Sequence, residues 1–252
     1  MTTPARYDVN ELLARLDGFD QRPRARELRD RVRGLLRYEP GDTVLDVGCG
    51  AGLSVAEIDG DGARAIGLDL DERMLDAACQ RHPEGEFVLA DAEALPLPDG
   101  IARAYRAERL FHAVPNPERA LGEAHRVLAP GGRIVLVGQD WDAFMIESED
   151  PPLTREIVHA SADAITHSSA PRRQPELLRA AGFTGVEVEG ALFLFTGDEV
   201  LPFLVQLAAR VNKAGTVAED RVRGWLAEQR QRAAEGRLFV GLPFVVVSAD
   251  RP

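Results

Sequence analysis

Cysteine, positive charge and long apolar runs are all scarce in this chain of 252 residues. The two cysteines, Cys49 and Cys79, are too few for a disulfide framework or a cysteine-rich zinc site. The longest apolar stretch, 238–247, is too short to cross a bilayer, and 1–20 lacks the apolar segment of a secretory signal. The histidines show no zinc-binding spacing, so we expect no metal. We therefore expect a soluble, cytoplasmic protein with no membrane partner.

Acidic residues outnumber basic ones, 41 to 30, which gives a formal net charge of −11. Nucleic-acid-binding proteins usually carry a basic surface, and a polyanion would meet a repulsive field here. We therefore expect no nucleic-acid partner. With 45% hydrophobic and 28% charged residues, the composition is that of an ordinary globular protein. At about 150 residues per domain, the length favours one large domain over two independent ones.

Helix and strand patterns alternate through the first two thirds of the chain. Strands separated by helices of about 10–15 residues are typical of βαβ units and a mostly parallel sheet. After residue 138 this regular alternation ends, and further helical patterns follow at 153–168, 175–181, 198–211 and 217–234. These patterns predict an α/β sheet domain whose late connections form a small helical cap. We assign the cap to about 142–171 and 197–235.

A glycine-rich turn, VLDVGCGAG at 44–52, joins the first buried strand pattern to a helix that begins at Leu53. Glycines allow positive φ or the close approach of a ligand, and the helix start offers free N–H donors. A dinucleotide-binding loop would need a third glycine where Leu53 stands. Asp46 would repel a pyrophosphate and suits a cationic ligand. The loop therefore predicts a nucleotide-like ligand other than NAD.

The motif Asp46-x-Gly48-x-Gly50-x-Gly52 resembles the nucleotide loop of class I S-adenosylmethionine (SAM) dependent methyltransferases. Segments 66–69, 89–92 and 120–137 agree with that family in order and spacing, and the last resembles its ubiquinone/menaquinone-biosynthesis members. The resemblance covers about 40–140. It implies a Rossmann-like sheet of seven strands, mostly parallel with the last strand antiparallel and helices on both faces. It also implies SAM as cofactor and S-adenosylhomocysteine as product.

The resemblance assigns roles to individual residues of this chain. It implies that Asp69 holds the ribose hydroxyls, which a carboxylate accepts well, and that Asp91 recognises adenine. The alternatives are that Asp69 caps the next helix and that Asp91 is an ordinary loop residue. Cys49 is expected to fill space and not to act as a nucleophile. The implied cofactor-binding residues are Asp46, Gly48, Cys49, Gly50, Gly52, Asp69, Leu70, Met74, Asp91, Ala92 and Glu108.

Candidate acceptor-side residues follow the fourth and fifth strand patterns and lie in the later segments. His112 comes after the fourth strand, at the sheet edge where open α/β folds bind ligands, and is the best candidate base. His159 and Asp140 are further candidate catalytic residues. We expect His112, Trp141 and His159 to face a common cavity. The candidate substrate-binding residues are Tyr7, Phe19, His112, Trp141, His167 and Arg172.

The sequence thus predicts SAM-dependent methylation of an O, N or C atom in a small acceptor molecule. Apolar segments at 192–195 and 201–207 favour a largely hydrophobic acceptor. Segment 1–40 is expected to form a helical lid over a SAM-binding domain at 41–252, in a monomer or homodimer. One alternative is a methyltransferase fold recruited for another reaction, such as a cyclisation. A second is a SAM-binding protein without catalysis.

Overall fold

The computed structural model describes residues 8–252, which form nine α-helices and eight β-strands. The helices are α1 (Val9–Asp20), α2 (Pro23–Leu36), α3 (Leu53–Gly60), α4 (Glu72–Arg81), α5 (Pro117–Val127), α6 (Pro151–Asp163), α7 (Ala170–Ala180), α8 (Leu201–Ala214) and α9 (Glu219–Ala234). The strands are β1 (Thr43–Val47), β2 (Arg64–Asp69), β3 (Glu86–Leu89), β4 (Ala102–Glu108), β5 (Leu128–Gln139), β6 (Met145–Ile146), β7 (Thr184–Phe195) and β8 (Val240–Asp250). Within 8–252, no helix is both long and apolar enough to cross a membrane.

All the strands belong to one mixed sheet. Strands β3, β2, β1, β4 and β5 lie side by side in that order and are parallel. Strand β8 runs antiparallel to its neighbours β5, β6 and β7. The predicted α/β fold, with a mostly parallel sheet and an antiparallel last strand, is confirmed. The sheet has eight strands and not seven, because β6 adds a pair of residues too short to show any strand period.

Helices cover both faces of the sheet. One hydrophobic cluster joins the sheet to α2, α3, α6, α8 and α9, and a second joins it to α5 and α7. Strand β1 is buried from Val44 to Val47, as expected of a parallel strand covered on both sides. The sheet therefore has a fixed carboxyl edge, where the turns after β1, β2 and β4 meet.

One predicted helix, 153–168, is shorter in the structure and ends at Asp163. The backbone beyond it makes hydrogen bonds to other segments. The His167 N–H donates to the carbonyl of His112 at 3.1 Å, and the Trp141 N–H donates to the carbonyl of Ser168 at 3.0 Å. These bonds tie the segment after α6 to the turns that follow β4 and β5.

Candidate functional site

The glycine-rich turn after β1 needs its glycines for two reasons. Gly48, Gly50 and Gly52 have φ of +76°, +54° and +80°, a region that favours glycine. A Cβ added to Gly52 would also lie 2.7 Å from the ring of Phe87. The N–H of Gly48 donates to the carbonyl of Leu68 at 2.7 Å, which holds the turn against β2. We call 48–52 the glycine loop.

Asp69, at the end of β2, is bound directly to the glycine loop. One carboxylate oxygen accepts the Gly50 N–H and the other accepts the Asp71 N–H, each at 2.9 Å. Burial raises the pKa of Asp69. The residue that caps α4 is Asp71, whose side chain accepts the Arg73 N–H. Each oxygen of Asp69 has a second lone pair, so the geometry leaves room for a ligand diol.

A cavity of about 390 Å³ lies against the glycine loop. Helix α1 forms one wall, and the ends of β4 and β5 form the other. Of the sequence-predicted residues, it brings together Gly48, Cys49, Gly50, Glu108, His112 and Trp141. Its further lining residues are Leu12, Leu16, Asp17, Asp20, Arg29, Ala51, Leu53, Ser54, Arg81, Arg106, Arg109 and Gln139.

The other predicted cofactor residues lie outside this cavity's lining. Met74 is buried under the loop, with its Cε 3.4 Å from where a Cβ on Gly50 would stand. Leu70 is 61% exposed, Ala92 is buried, and the Asp91 carboxylate accepts the Glu93 N–H at 2.9 Å. These residues continue along the carboxyl edge towards β3, beyond the cavity.

A buried ionic triad underlies the glycine loop. Arg106, on β4, pairs with both Asp46 and Glu108, and all three side chains are at most 8% exposed. Burial alone would raise the pKa of Glu108, but the guanidinium groups of Arg106 and Arg109 hold it below its usual range. Sequence reasoning missed Arg106. The available signal was a charged residue inside an apolar strand, two positions before Glu108.

The pairing changes what Asp46 offers a ligand. The sequence suggested a carboxylate suited to a cationic ligand, whereas one Asp46 oxygen is neutralised by Arg106. The other oxygen is buried without a hydrogen-bond partner, and Asp46 does not line the cavity. In the structure, Asp46 therefore supports the loop from below.

Helix α1 closes the cavity from the N-terminal side. Asp17 accepts two hydrogen bonds from the Arg81 guanidinium, at 2.8 and 2.9 Å. Asp20 lies 3.6 Å from the guanidinium of Arg109, which also stands over the ring of Phe19. Phe19 thus anchors α1 beside the cavity and does not line it. Tyr7, the other predicted residue of this segment, lies outside the described residues.

His112 and Trp141 form the far wall of the cavity, with ring centroids 5.5 Å apart. Burial, together with the charges of Arg109 and Arg210, lowers the pKa of His112 to about 4. The imidazole is therefore neutral near pH 7, and the same low pKa makes it a weaker base than an ordinary histidine. The indole nitrogen of Trp141 is buried without a hydrogen-bond partner. This wall therefore combines a neutral imidazole with an indole N–H that has no hydrogen-bond acceptor among the described residues.

The other acceptor-side candidates are placed elsewhere. His159 lines a separate cavity of about 270 Å³, because α6 turns its half-exposed side chain towards Asp142. The expected common cavity therefore holds His112 and Trp141 but not His159. Asp140 is bound by Arg172 through hydrogen bonds of 2.6 and 2.8 Å. His167 lines a third cavity of about 70 Å³.

The charges of the main cavity match the charges of SAM. The methionine part of SAM carries a sulfonium, an ammonium and a carboxylate. The lining includes carboxylates at Asp17, Asp20 and Glu108 and guanidinium groups at Arg29 and Arg81, each of which also has an oppositely charged neighbour in the protein. Together with the glycine loop, these residues fit a group that bears both signs of charge. Among residues 8–252, no group of histidine, cysteine and acidic side chains is placed to hold a metal ion.

Comparison with known proteins identifies the family. Residues 45–136 match the family model described as a methyltransferase domain. The chain is 33% identical over 167 residues to a demethylmenaquinone methyltransferase of Clavibacter sepedonicus, covering 58% of this chain and 67% of that protein. It is 31% identical over 253 residues to an uncharacterised 37.1 kDa protein in transposon TN4556 of Streptomyces fradiae, covering 96% of this chain and 72% of that protein.

A solved structure shows the same fold. Phosphoethanolamine N-methyltransferase 2 of Haemonchus contortus, in complex with S-adenosyl-L-methionine, superimposes with a TM-score of 0.65 and 16% identity. The alignment covers 99% of this chain and 58% of that one. With the glycine loop, the sheet order and these relatives in agreement, this chain belongs to the SAM-dependent methyltransferases of the methyltransferase-domain family.

Proposed function

We propose that this methyltransferase binds its acceptor, a small and largely apolar molecule, at the His112 and Trp141 wall. One observation carries the proposal: a single cavity contacts both the glycine loop and this wall. Leu12 and Leu16 of α1 add apolar surface opposite it. The Clavibacter relative is named for demethylmenaquinone, also a small acceptor.

The cofactor side is proposed to use the residues at the carboxyl edge. The glycine loop, whose residues Gly48, Cys49 and Gly50 line the cavity, would hold the methionine part of SAM together with the acidic and basic lining residues. Asp69 would accept the ribose hydroxyls, and Asp91 with Ala92 would contact the adenine. When bound, SAM supplies an electrophilic methyl group on a sulfonium. Met74 would support the glycine loop, and Glu108 would stabilise the positive charge of SAM.

The remaining contributions come from the chain itself. Helix α1 would exclude water from the cavity. Most of the rate enhancement of methyl transfer would come from positioning and desolvating the two reactants. His112 would accept a proton at a ring nitrogen if the acceptor must lose one. Asp140 and His159 remain weaker candidates, because neither lines the main cavity. Further parts of the proposal are a cytoplasmic location, a monomer or homodimer, and no nucleic-acid or membrane partner. The net charge of −11 supports the last of these, because nucleic acids and anionic membrane surfaces would be repelled.

The test has two parts. Calorimetry should show SAM and S-adenosylhomocysteine binding, with no comparable affinity for NAD. Labelled SAM, offered with a panel of small apolar acceptors, should then yield labelled product and S-adenosylhomocysteine. A protein that binds SAM without transfer would indicate the non-catalytic alternative. An acceptor consumed without S-adenosylhomocysteine would indicate the cyclisation alternative.

Asp69→Ala tests the cofactor assignment. The affinity for SAM should fall by about 1.5–3 kcal/mol, the range for hydrogen bonds to a charged group. Asp76→Ala, on the exposed side of neighbouring α4, removes the same group and should leave the affinity unchanged. If the two variants bind SAM equally, the proposed ribose role is refuted.

A further inference from the structure

Two half-buried arginines, Arg15 and Arg210, have no acidic partners in the described part of the chain, and Arg210 packs on the wall formed by His112 and Trp141. Arg210, on α8, places its guanidinium 4.9 Å from the ring centroid of Trp141. Arg15 lies on α1, the helix that also supplies Leu12 and Leu16 to the cavity lining. The Nε atoms of both arginines are buried and make no hydrogen bond. Within residues 8–252, neither side chain is within ion-pair distance of a carboxylate.

The most buried arginines of this acidic chain are paired with carboxylates, whereas the half-buried Arg251 also has a buried nitrogen without a partner. Arg133 binds Asp250 at 2.6 Å and Glu187 at 2.8 Å. Arg29 binds Glu57 at 3.2 Å, and Arg106 is the centre of the triad under the loop. Removing a guanidinium from water without an opposite charge is costly. The unpaired state of Arg15 and Arg210 therefore needs an explanation.

Both arginines are neighbours of the cavity lining, although neither belongs to it. Arg15 is three residues after Leu12 and one before Leu16, the two α1 leucines that line the cavity. Phe203 and Arg210 are two turns apart on α8, and both pack against Trp141. Burial and the charge of Arg15 lower the pKa of Arg210, and the charge of Arg210 contributes to the lowered pKa of His112. Arg210 thus packs on Trp141, and Arg15 is a second charge near it; we call these two residues the arginine pair.

We propose that the acceptor carries an anionic group, a carboxylate or a phosphate, which binds between Arg15 and Arg210 while its apolar body lies on Trp141. This inference rests on the proposed function, since it describes the acceptor of the same cavity. A guanidinium binds such groups through two parallel N–H···O bonds, which fixes orientation as well as position. The unpartnered indole N–H of Trp141 would add a third donor. The far end of the acceptor is then directed towards His112.

The two tryptophans of the chain make the test direct. Trp225, on α9, is 2% exposed and donates to Thr154 at 3.0 Å. In a Trp225→Phe background, the emission comes from Trp141 alone. The protein, saturated with S-adenosylhomocysteine, is titrated with benzoate, phenyl phosphate and the neutral isostere benzamide. Affinities are checked by calorimetry.

At least one of the two anions should bind saturably and at least tenfold more tightly than benzamide. The tighter anion distinguishes a carboxylate site from a phosphate site. Arg210→Gln and Arg15→Gln should each weaken that binding at least tenfold, and Arg210→Lys should weaken it less. Arg223→Gln, on the exposed side of α9, removes the same charge and should have no effect.

Three results would overturn the inference. They are equal affinity for benzamide and both anions, no saturable anion binding in the millimolar range, and unchanged anion binding in the glutamine variants. Circular dichroism checks that each variant is folded. If Arg210→Gln does not fold, the anion affinities of Arg210→Lys and Arg15→Gln still test the inference. Affinity for S-adenosylhomocysteine is measured on the same samples. If the unsubstituted protein does not bind S-adenosylhomocysteine, the proposed function is refuted. If it binds S-adenosylhomocysteine but does not prefer the anions to benzamide, only this inference is refuted.

Discussion

The two sides of the cavity are built in opposite ways. On the cofactor side, Asp69 binds the glycine loop and Arg106 pairs with Asp46 and Glu108, so these charged side chains have partners within the protein. On the acceptor side, the Trp141 indole nitrogen and the arginine pair keep unused donors. The first arrangement has its opposite charges paired before any ligand arrives. The second is completed only by what binds there, and the following substitutions test this contrast from the largest expected effect to the smallest.

Arg106→Met should give the largest effect, because it removes the cation between two buried carboxylates. Breaking a buried ion pair from one side typically costs about 3–5 kcal/mol. Urea denaturation should show this loss in the free energy of unfolding. Arg210→Met, at the unpaired acceptor side, should cost clearly less, because no carboxylate is left without its partner. Equal losses in the two variants would contradict the contrast between the two sides.

His112 should make stability depend on pH at the acceptor side. Its pKa is about 4 in the folded protein and about 6.5 when unfolded, so the unfolded chain binds more protons between these values. The contribution is fully present above pH 6.5 and is lost as the pH falls towards 4, by roughly 3 kcal/mol. Unfolding experiments at several pH values should show a shallower acid decline for His112→Asn. Parallel curves for the two proteins would show that His112 is not protected from protonation.

Gly52→Ala should destabilise the cofactor side by about 1–3 kcal/mol, because alanine is strained at φ of +80° and its Cβ would meet Phe87. Affinity for S-adenosylhomocysteine should fall with it. The matched control is Gly122→Ala in α5, where a Cβ meets nothing within 4 Å. There the substitution should stabilise by about 0.4–1 kcal/mol. Thermal unfolding of both variants measures the difference, and loss of stability in both would contradict the loop argument.

The smallest effect is expected where α1 meets α4. Asp17 and Arg81 form a two-bond pair, but their side chains are 41% and 37% exposed. Exposed pairs contribute about 0.2–1 kcal/mol. A double-mutant cycle with Asp17→Asn and Arg81→Gln should give a coupling in that range, decreasing as salt is added. A coupling energy between Asp17 and Arg81 larger than the loss caused by Arg106→Met would contradict this order of effects.

The sequence predicted the local structure of the cofactor side better than the contacts of the acceptor side. The start of α3 at Leu53 agrees with the sequence pattern, because the glycine-rich turn before it is a local signal. The end of α6 was missed, because hydrogen bonds to distant segments decide it. The packing of Phe203 on Trp141 likewise depends on how α8 folds back. No local pattern reports such contacts, so the neighbours of His112 could not be inferred.

The contact between Gly52 and Phe87 has a consequence for how this sequence can change over time. A Cβ at Gly52, Gly67 or Gly85 would lie 2.7, 2.8 or 2.7 Å from the Phe87 side chain, respectively. One phenyl ring therefore occupies the space of three absent side chains. These glycines are not independent characters, since the size of residue 87 bears on each of them. In homologous chains with a smaller residue there, a Cβ at position 85 loses its shortest contacts, whereas Gly67 still faces Val55 at 2.8 Å and Gly52 keeps its separate requirement for positive φ.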